Sequence, residues 1–386
     1  MRQLFATFVC LILVLAGSAP AWAFDDRVES VALTSPAGGV RLNGTLRLPV
    51  GPGPFAAAVL LPEHGSSDEA SADSRLLNNL ADYLVSQGVV VLRLQERGRG
   101  SEGSATATTL AERSADATAA LNYLRTRPQV DVTRLGLIGH GEGANAALLA
   151  GAQPMGPAFV VALAASGLPG RELLAAQPNM YGKVLHDSTA AQQQRQYRAD
   201  LLAAEQEAAS MRTKGSNSAQ VQMYLDQQRL RLKSALRRDE ERLVKHQRAM
   251  LEIVRQTADN AQAQAILSNM LHQFYPNITP ADVQATVAQL TTPAYRSFLS
   301  FDPQRTLAGV QCPVLLLQGD ADAEVNAAVN LPLLKKGLHG NARVAELRLP
   351  GLDHALRVAS PATPVSPTAS FLTAESDIRT WILSQK

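Results

Sequence analysis

A glycine-rich turn carries the clearest chemical signal in this sequence. An apolar run at residues 135–138 leads into Gly139-His140-Gly141-Glu142-Gly143, and helical spacing resumes at Ala144. In a sharp strand-to-helix turn the central residue is exposed toward a substrate, and small flanking residues allow the two backbones to approach. The usual central residue is a nucleophilic serine, whereas this chain has Gly141. Glycine accepts the required backbone angles without strain, so the turn should form without an oxygen nucleophile.

Two later loops carry a carboxylate and a histidine. The segment Gly319 to Val325 follows a short apolar run and contains Asp320 and Asp322, and Pro350-Gly351-Leu352-Asp353-His354 follows the next apolar run. A histidine beside a carboxylate is the usual side chain for moving protons at neutral pH. The chain order of turn, acid and histidine is also that of a known catalytic arrangement. A second interpretation stays open for the aspartates, because both residues also suit a simple turn after a strand.

Together these motifs resemble the α/β-hydrolase superfamily. The resemblance is strongest to secreted bacterial esterases related to dienelactone hydrolases and to the catalytic domains of acyl-aminoacyl and dipeptidyl peptidases. Two further segments support it, the glycine-containing loop within Leu60–Ser67 and the run Arg97-Gly98-Arg99-Gly100-Ser101, whose serine is shifted by one position from the family pattern. The resemblance covers most of residues 28–168 and 296–386.

The resemblance implies a role for each matching position. Asp322 would orient His354, which would act as general base and acid, and Gly141 would stand at the vacant nucleophile position. The oxyanion hole, which stabilises developing negative charge, would use backbone N–H groups of Glu142 and of the loop containing Gly65 and Ser66. The substrate would be a small-molecule ester or acyl compound. Neither the resemblance nor the residues imply a metal or an organic cofactor.

The elements around these loops predict the fold class. Strand-like runs alternate with helical spacing, which predicts an α/β fold with a mostly parallel, doubly wound sheet. Residues 24–168 and 296–386 should form the core, and the Gln- and Ala-rich residues 169–295 a large helical cap. Within the cap, Leu230 to Val254 has the spacing of an amphipathic helix. Near the start of the core, Asn43-Gly44 lies in an alternating stretch and predicts a hairpin turn.

The first 23 residues have the pattern of a secretory signal. Arg2 precedes an apolar run at residues 4–17, and Ala21-Trp22-Ala23 places small residues where a signal peptidase cleaves. We therefore expect a bacterial protein exported to the periplasm or beyond, with no membrane contact after cleavage.

Cleavage leaves Cys312 as the sole cysteine, which we interpret as a core residue. The formal net charge of +2 gives no basis for nucleic-acid binding. The pattern around Glu63-His64 lacks the second histidine of a zinc motif, and oligomeric state cannot be read from the sequence.

Four hypotheses follow from the glycine at the turn. Weak hydrolysis could persist if His354 activates water directly, or if Ser66 or Ser67 replaces the nucleophile. The protein could instead be a pseudoenzyme that binds an ester- or acyl-like ligand. Gly141 could be a change from a serine in a parent protein. Finally, the chain could be an interaction protein working through its cap, which would require an exposed apolar stripe along Leu230–Val254 and a closed pocket.

Overall fold

A central β-sheet organises the computed structural model, which describes residues 27–63, 71–98, 100–177, 189–359 and 367–385. The predicted signal segment therefore lies outside the described residues. The strands are β1 (Arg27–Thr34), β2 (Arg41–Leu48), β3 (Phe55–Leu61), β4 (Val89–Leu94), β5 (Val130–His140), β6 (Val160–Leu163), β7 (Val314–Gly319) and β8 (Val344–Leu349). The helices are α1 (Ala72–Ser86), α2 (Leu110–Arg125), α3 (Glu142–Gly151), α4 (Gly170–Ala176), α5 (Thr189–Thr213), α6 (Ser218–Gln256), α7 (Asn260–Phe274), α8 (Pro280–Leu290), α9 (Pro293–Ser300), α10 (Gln304–Leu307), α11 (Ala327–Gly337) and α12 (Pro367–Ser384).

The sheet is mostly parallel. Its eight strands lie in the order β1-β2-β4-β3-β5-β6-β7-β8. The pairs β1–β2 and β2–β4 are antiparallel, and the remaining neighbours are parallel. Strands β3, β6 and β7 are almost continuously apolar and buried, as expected where helices cover both faces of a parallel sheet. The predicted α/β class with a doubly wound sheet is confirmed.

Two apolar layers hold the helices against the sheet. Alternate residues of β3 point to opposite faces, so Ala57 and Val59 join one layer, whereas Ala58 and Leu60 join the other. Helices α2, α3 and α11 cover the first face, and α1 and α12 cover the second. Full burial of a leucine or valine side chain contributes about 1.5–3 kcal/mol, so these layers fix the ends of the parallel strands, where the loops of interest begin.

The predicted hairpin turn at Asn43-Gly44 is wrong. The turn between β1 and β2 lies earlier, where Ser35 N donates to Val40 O over 2.8 Å and Gly38 and Gly39 have positive φ. Gly44 instead lies inside β2, between β1 and β4. A Cβ atom at Gly44 would lie 2.6 Å from Arg93 O. The glycine therefore permits a close strand approach, a use of glycine that a local turn signal does not distinguish.

Helices fill the chain between β6 and β7. Helices α4, α6, α7, α8 and α9 share an apolar cluster that includes Met250, Leu267 and Val287. The predicted amphipathic helix lies within the 39-residue α6. Leu243 and Leu251 are buried, whereas Leu230 is 69% exposed. The apolar stripe of Leu230–Val254 is thus largely covered. The interaction-protein hypothesis requires this stripe to be exposed, so the observation disfavours that hypothesis.

The far end of α6 packs on α5. A short turn through Gly215 joins the two helices, and Ala208, Val221 and Leu225 form the small buried cluster between them.

Across the described ranges, no helix combines the length and apolarity needed to cross a bilayer.

Candidate active site

The glycine turn forms a sharp elbow between β5 and α3. Gly141 has φ +54° and ψ −121°, and α3 begins at the next residue. A Cβ atom at Gly139 would collide with the backbone of Gly143, and one at Gly143 would collide with the backbone of Leu61. Both flanking glycines are therefore required by close backbone approach. The N–H of Glu142 lies in the first turn of α3, where amides have no acceptor within the helix.

Asp322 and His354 form a buried hydrogen-bonded pair. The Nδ1 of His354 donates to Oδ2 of Asp322 over 2.8 Å. The other carboxylate oxygen of Asp322 accepts from the N–H groups of Glu324 and Val325, each over 2.8 Å. Asp320 does not contact His354 in this way, but accepts from Gly351 N over 2.5 Å and so ties together the loops after β7 and β8. The side chain of Asp322 is thus fixed to orient the imidazole.

His140 contacts the loop after β8, which carries His354. It is 1% exposed, and its Nδ1 lies 2.6 Å from Oδ1 of Asp73. Its Nε2 lies 2.8 Å from the backbone oxygen of His354. His140 therefore links α1, the elbow and the loop after β8 as a buried structural residue.

The carboxylate of Glu63 lies over the apex of the elbow. A Cβ atom built at Gly141 would lie 2.8 Å from Oε1 of Glu63, 3.0 Å from its Cδ and 3.2 Å from its Cγ. The same Oε1 lies 3.4 Å from Nε2 of His354. The carboxylate therefore occupies the space that a side chain at position 141 would enter, beside the histidine nitrogen that faces away from Asp322.

Sequence analysis missed Glu63 as a site residue. Its position follows from strand register, because Leu61 pairs with Gly139 in the parallel β3–β5 ladder. Glu63 lies two residues beyond Leu61, and Gly141 lies two residues beyond Gly139. The two residues therefore lie side by side where β3 and β5 end. The usable signal is that Glu63 is the first charged residue after a buried strand that neighbours the elbow strand.

The two partners of His354 set its protonation. Burial lowers the pKa of His354, but the hydrogen bond with Asp322 and the contact with Glu63 outweigh it, and the net pKa is raised well above its ordinary value. Burial likewise opposes ionisation of Glu63, but its contact with His354 outweighs burial and lowers the pKa of Glu63. Both shifts favour a carboxylate on Glu63 and a proton on His354.

A half-buried carboxyl group lies at the start of α3. Burial raises the pKa of Glu142 to about 7; Arg113 opposes the change, and Glu63 adds to it. Arg113 lies 3.5 Å from Oε2 of Glu142 through Nη1 and donates through Nη2 to the backbone oxygen of Pro62. One arginine thus joins the elbow to the segment that carries Glu63.

A pocket of about 90 Å³ opens beside the elbow. Its walls combine three carboxylates with apolar residues from the helical insertion. It is lined by Glu63, Gly141, Glu142, Asn145, Ala164, Ser166, Leu173, Leu174, Gln177, Phe298, Glu324 and Val325.

The structure brings together Gly141, Glu142, Asp322 and His354, as the resemblance implies. The expected oxyanion-loop residues Gly65 and Ser66, with Ser67, lie outside the described residues. Arg97 is buried and donates to both oxygens of Asp116, at 2.8 and 2.6 Å. Its loop therefore has a structural role. Cys312 is half-buried against the core, and burial raises its pKa to about 11, as suits a structural thiol.

Glu63, His140 and His354 also place potential metal ligand atoms within 4.8 Å of one another. Both nitrogens of His140 already face oxygen atoms, and Nδ1 of His354 faces Asp322. Metal binding by all three would require His140 to give up one of these contacts. In the structure these histidine nitrogens are engaged in hydrogen bonds.

Sheet order, elbow and Asp–His pair define an α/β-hydrolase fold. No family model matches the sequence. A stretch of 108 residues is 35% identical to Esterase EstD of Thermotoga maritima and covers 27% of this chain and 25% of that protein. The chain thus spans about a quarter of the length of this curated relative.

Solved structures give the same fold over nearly the whole chain. The esterase Pf2001 of Pyrococcus furiosus aligns with a TM-score of 0.54 at 12% identity, covering 93% of this chain and 92% of that one. The hypothetical protein PA2218 of Pseudomonas aeruginosa aligns with a TM-score of 0.50 at 15% identity, covering 99% and 100%. This chain therefore has the α/β-hydrolase fold that its motifs predict.

Proposed function

We propose that this protein hydrolyses a small carboxylic ester in the pocket beside the elbow, with water attacking the acyl carbon in place of a serine. The observation that carries the proposal is the buried Asp322–His354 pair, joined over 2.8 Å at the mouth of an intact elbow. Such a pair positions an imidazole for proton transfer. The N–H of Glu142 would stabilise the negative charge that develops on the acyl oxygen.

The expected activity is modest. In a serine hydrolase the nucleophile and histidine act as a unit, and loss of the serine typically costs about 10⁶-fold in kcat. General acid–base catalysis alone contributes about 10²–10⁴-fold. The pocket volume of about 90 Å³ favours a short acyl or alcohol group. Leu173, Phe298 and Val325 supply its apolar wall.

Hydrolysis of p-nitrophenyl butyrate by the purified protein tests this proposal. We expect slow turnover that a serine-directed phosphonate does not block. His354→Ala should lower kcat by about 10²-fold or more. His339→Ala is the matched control, because His339 is exposed and its Nδ1 faces the backbone oxygen of Lys336 over 3.0 Å. The proposal fails if the protein is silent with short and longer esters, or if His354→Ala keeps full activity.

One observation favours a second candidate, a pseudoenzyme that binds an ester- or acyl-like ligand without turnover. The Glu63 carboxylate fills the space where a nucleophile would stand. Calorimetry with a non-hydrolysable butyryl ketone separates the two functions. Binding without any ester turnover supports the pseudoenzyme, whereas turnover lost in His354→Ala supports the hydrolase.

A further inference from the structure

Glu63 and Gly141 are complementary in shape. All three atoms nearest to a Cβ at position 141 belong to the Glu63 side chain, at 2.8, 3.0 and 3.2 Å. A serine oxygen is bonded directly to Cβ, so the carboxylate adjoins the place where a nucleophile would act. The glycine makes room for the carboxylate, which takes the neighbouring position to His354 Nε2 that a serine would otherwise hold.

The backbone around Glu63 is held on two sides. Its N–H donates to Oδ1 of Asp73 over 3.3 Å, and the preceding carbonyl, that of Pro62, accepts from Arg113. Arg113 is itself paired with Glu142 on the elbow helix. The carboxylate is therefore presented to the elbow by fixed contacts from α1 and α2, which suits a group that must meet a substrate in one geometry.

Glu63 and His354 differ in charge at the same pH. Their mutual contact lowers the pKa of Glu63 and raises that of His354. Two neighbouring titratable groups whose environments separate their pKa values are the usual basis for assigning one as base and the other as acid. His354 lies between two carboxylates, with Nδ1 2.8 Å from Asp322 and Nε2 3.4 Å from Glu63. This placement favours a proton on Nε2, where His354 can serve as an acid.

We propose that Glu63 is the general base that activates the attacking water and that His354 is the general acid that protonates the leaving alcohol. This assignment rests on the proposed ester hydrolysis. Water gives a proton to the Glu63 carboxylate as its oxygen bonds to the acyl carbon. The ester C–O bond then breaks, and the leaving oxygen takes the Nε2 proton of His354. Transfer of the proton from Glu63 to His354 across their 3.4 Å contact restores both groups, and ester plus water gives acid plus alcohol.

Several titratable groups face Glu63 and shape its pH response. They come from the loops after β7 and β8, the end of β5 and the starts of α1 and α3. They are Asp73, His140, Glu142, Glu324 and His354. The proposed pair predicts a bell-shaped dependence of kcat/KM on pH. Activity falls in acid as Glu63 takes up a proton, below the ordinary range of a glutamate, and in alkali as His354 loses one, above the ordinary range of a histidine.

Glu63→Gln in the full-length protein tests the assignment, because the amide keeps the shape of the side chain and cannot accept the proton. We expect kcat for p-nitrophenyl butyrate to fall by about 10²–10⁴-fold and the acidic limb of the pH profile to disappear. Glu172→Gln is the matched control, since this carboxylate pairs with Arg248 away from the elbow. Formate should restore part of the activity of Glu63→Ala, and Glu63→Asp should keep part of it, which separates loss of the base from loss of folding.

The outcomes distinguish this inference from the proposed function. A silent parent protein overturns both. A parent protein that turns over, with Glu63→Gln equally active, overturns the role of Glu63 and leaves ester hydrolysis standing. An acyl adduct on Glu63, detected by mass spectrometry of the peptide after rapid quench, would make the carboxylate a nucleophile and overturn its assignment as base.

Discussion

Gly141→Ser should not by itself restore a serine hydrolase. The new Cβ would lie 2.8 Å from Oε1 of Glu63, inside normal contact distance, and the serine would adopt φ +54°. A non-glycine residue in such a conformation costs about 1–3 kcal/mol. The carboxylate end of Glu63 can move, but movement breaks its contact with His354. If Glu63 stays, the histidine remains paired with it and cannot take the serine proton.

The double variant Gly141→Ser/Glu63→Ala removes this conflict. Alanine lacks Cγ, Cδ and Oε1, which are the three atoms that the new Cβ would meet. His354 then keeps only Asp322 as a charged partner at its ring nitrogens, so its pKa should fall back toward the ordinary value. We expect the double variant to hydrolyse p-nitrophenyl butyrate at least about 10²-fold faster than the single variant. This gain is a small part of the roughly 10⁶-fold that a serine nucleophile contributes to kcat. A serine-directed phosphonate should block it.

Gly88→Ser controls for the stability cost. Gly88 also has positive φ, +83°, but nothing lies within 4 Å of a Cβ built there. Thermal unfolding of Gly88→Ser therefore measures backbone strain alone, and the additional loss of Tm in Gly141→Ser measures the conflict with Glu63. The reasoning is refuted if Gly141→Ser alone is as active as the double variant and loses no more stability than Gly88→Ser.

Two further predictions concern the carboxyl group of Glu142 and the N-terminal segment of the chain. Because burial raises the pKa of Glu142 from 4.5 to about 7, the folded state holds its proton more tightly than the unfolded state, and stability is lost as pH rises through this range. The contribution of Glu142 to this loss between pH 5 and pH 8 is about 1–3 kcal/mol. In thermal unfolding Glu142→Gln should remove this contribution, while Glu172→Gln should keep it and Glu375, whose pKa is also raised to about 7, should keep its own in both variants. Equal pH dependence in all three proteins would contradict the effect. We also propose that the protein is exported with cleavage after Ala23; N-terminal sequencing of protein from the bacterial periplasm should begin at Phe24, and retention of Met1 would contradict export.

Local backbone chemistry explains what the sequence could predict of the site. The elbow glycines, the loops with Asp322 and His354, and the alternation of strands and helices all depend on short-range patterns that can be read from the sequence. The Asn43-Gly44 turn failed because a glycine required by strand packing has the same local pattern as one required by a turn. Position in the sheet decides between the two uses.

The position of Glu63 could not be predicted from the sequence for a different reason. The resemblance gives the loop after β3 an oxyanion role, and the side chains considered there were those of Ser66 and Ser67, not that of Glu63. The register that sets Glu63 level with Gly141 depends on the pairing of β3 with β5, which is a long-range property of the sheet. The absence of a side chain at 141 was visible in the sequence, whereas the side chain that fills its space was not.

The long hairpin of α5 and α6 has a consequence for local stability. At 1.5 Å per residue, the 39 residues of α6 extend roughly 58 Å. The residues near its C-terminus, such as Met250 and Val254, are buried in the cluster that also includes Leu173 beside the pocket. The opposite end is held by little more than Ala208, Val221 and Leu225. The free energy of local opening should therefore fall along α6 toward Gly215, so that the hairpin tip can open without exposing the pocket or disturbing the elbow.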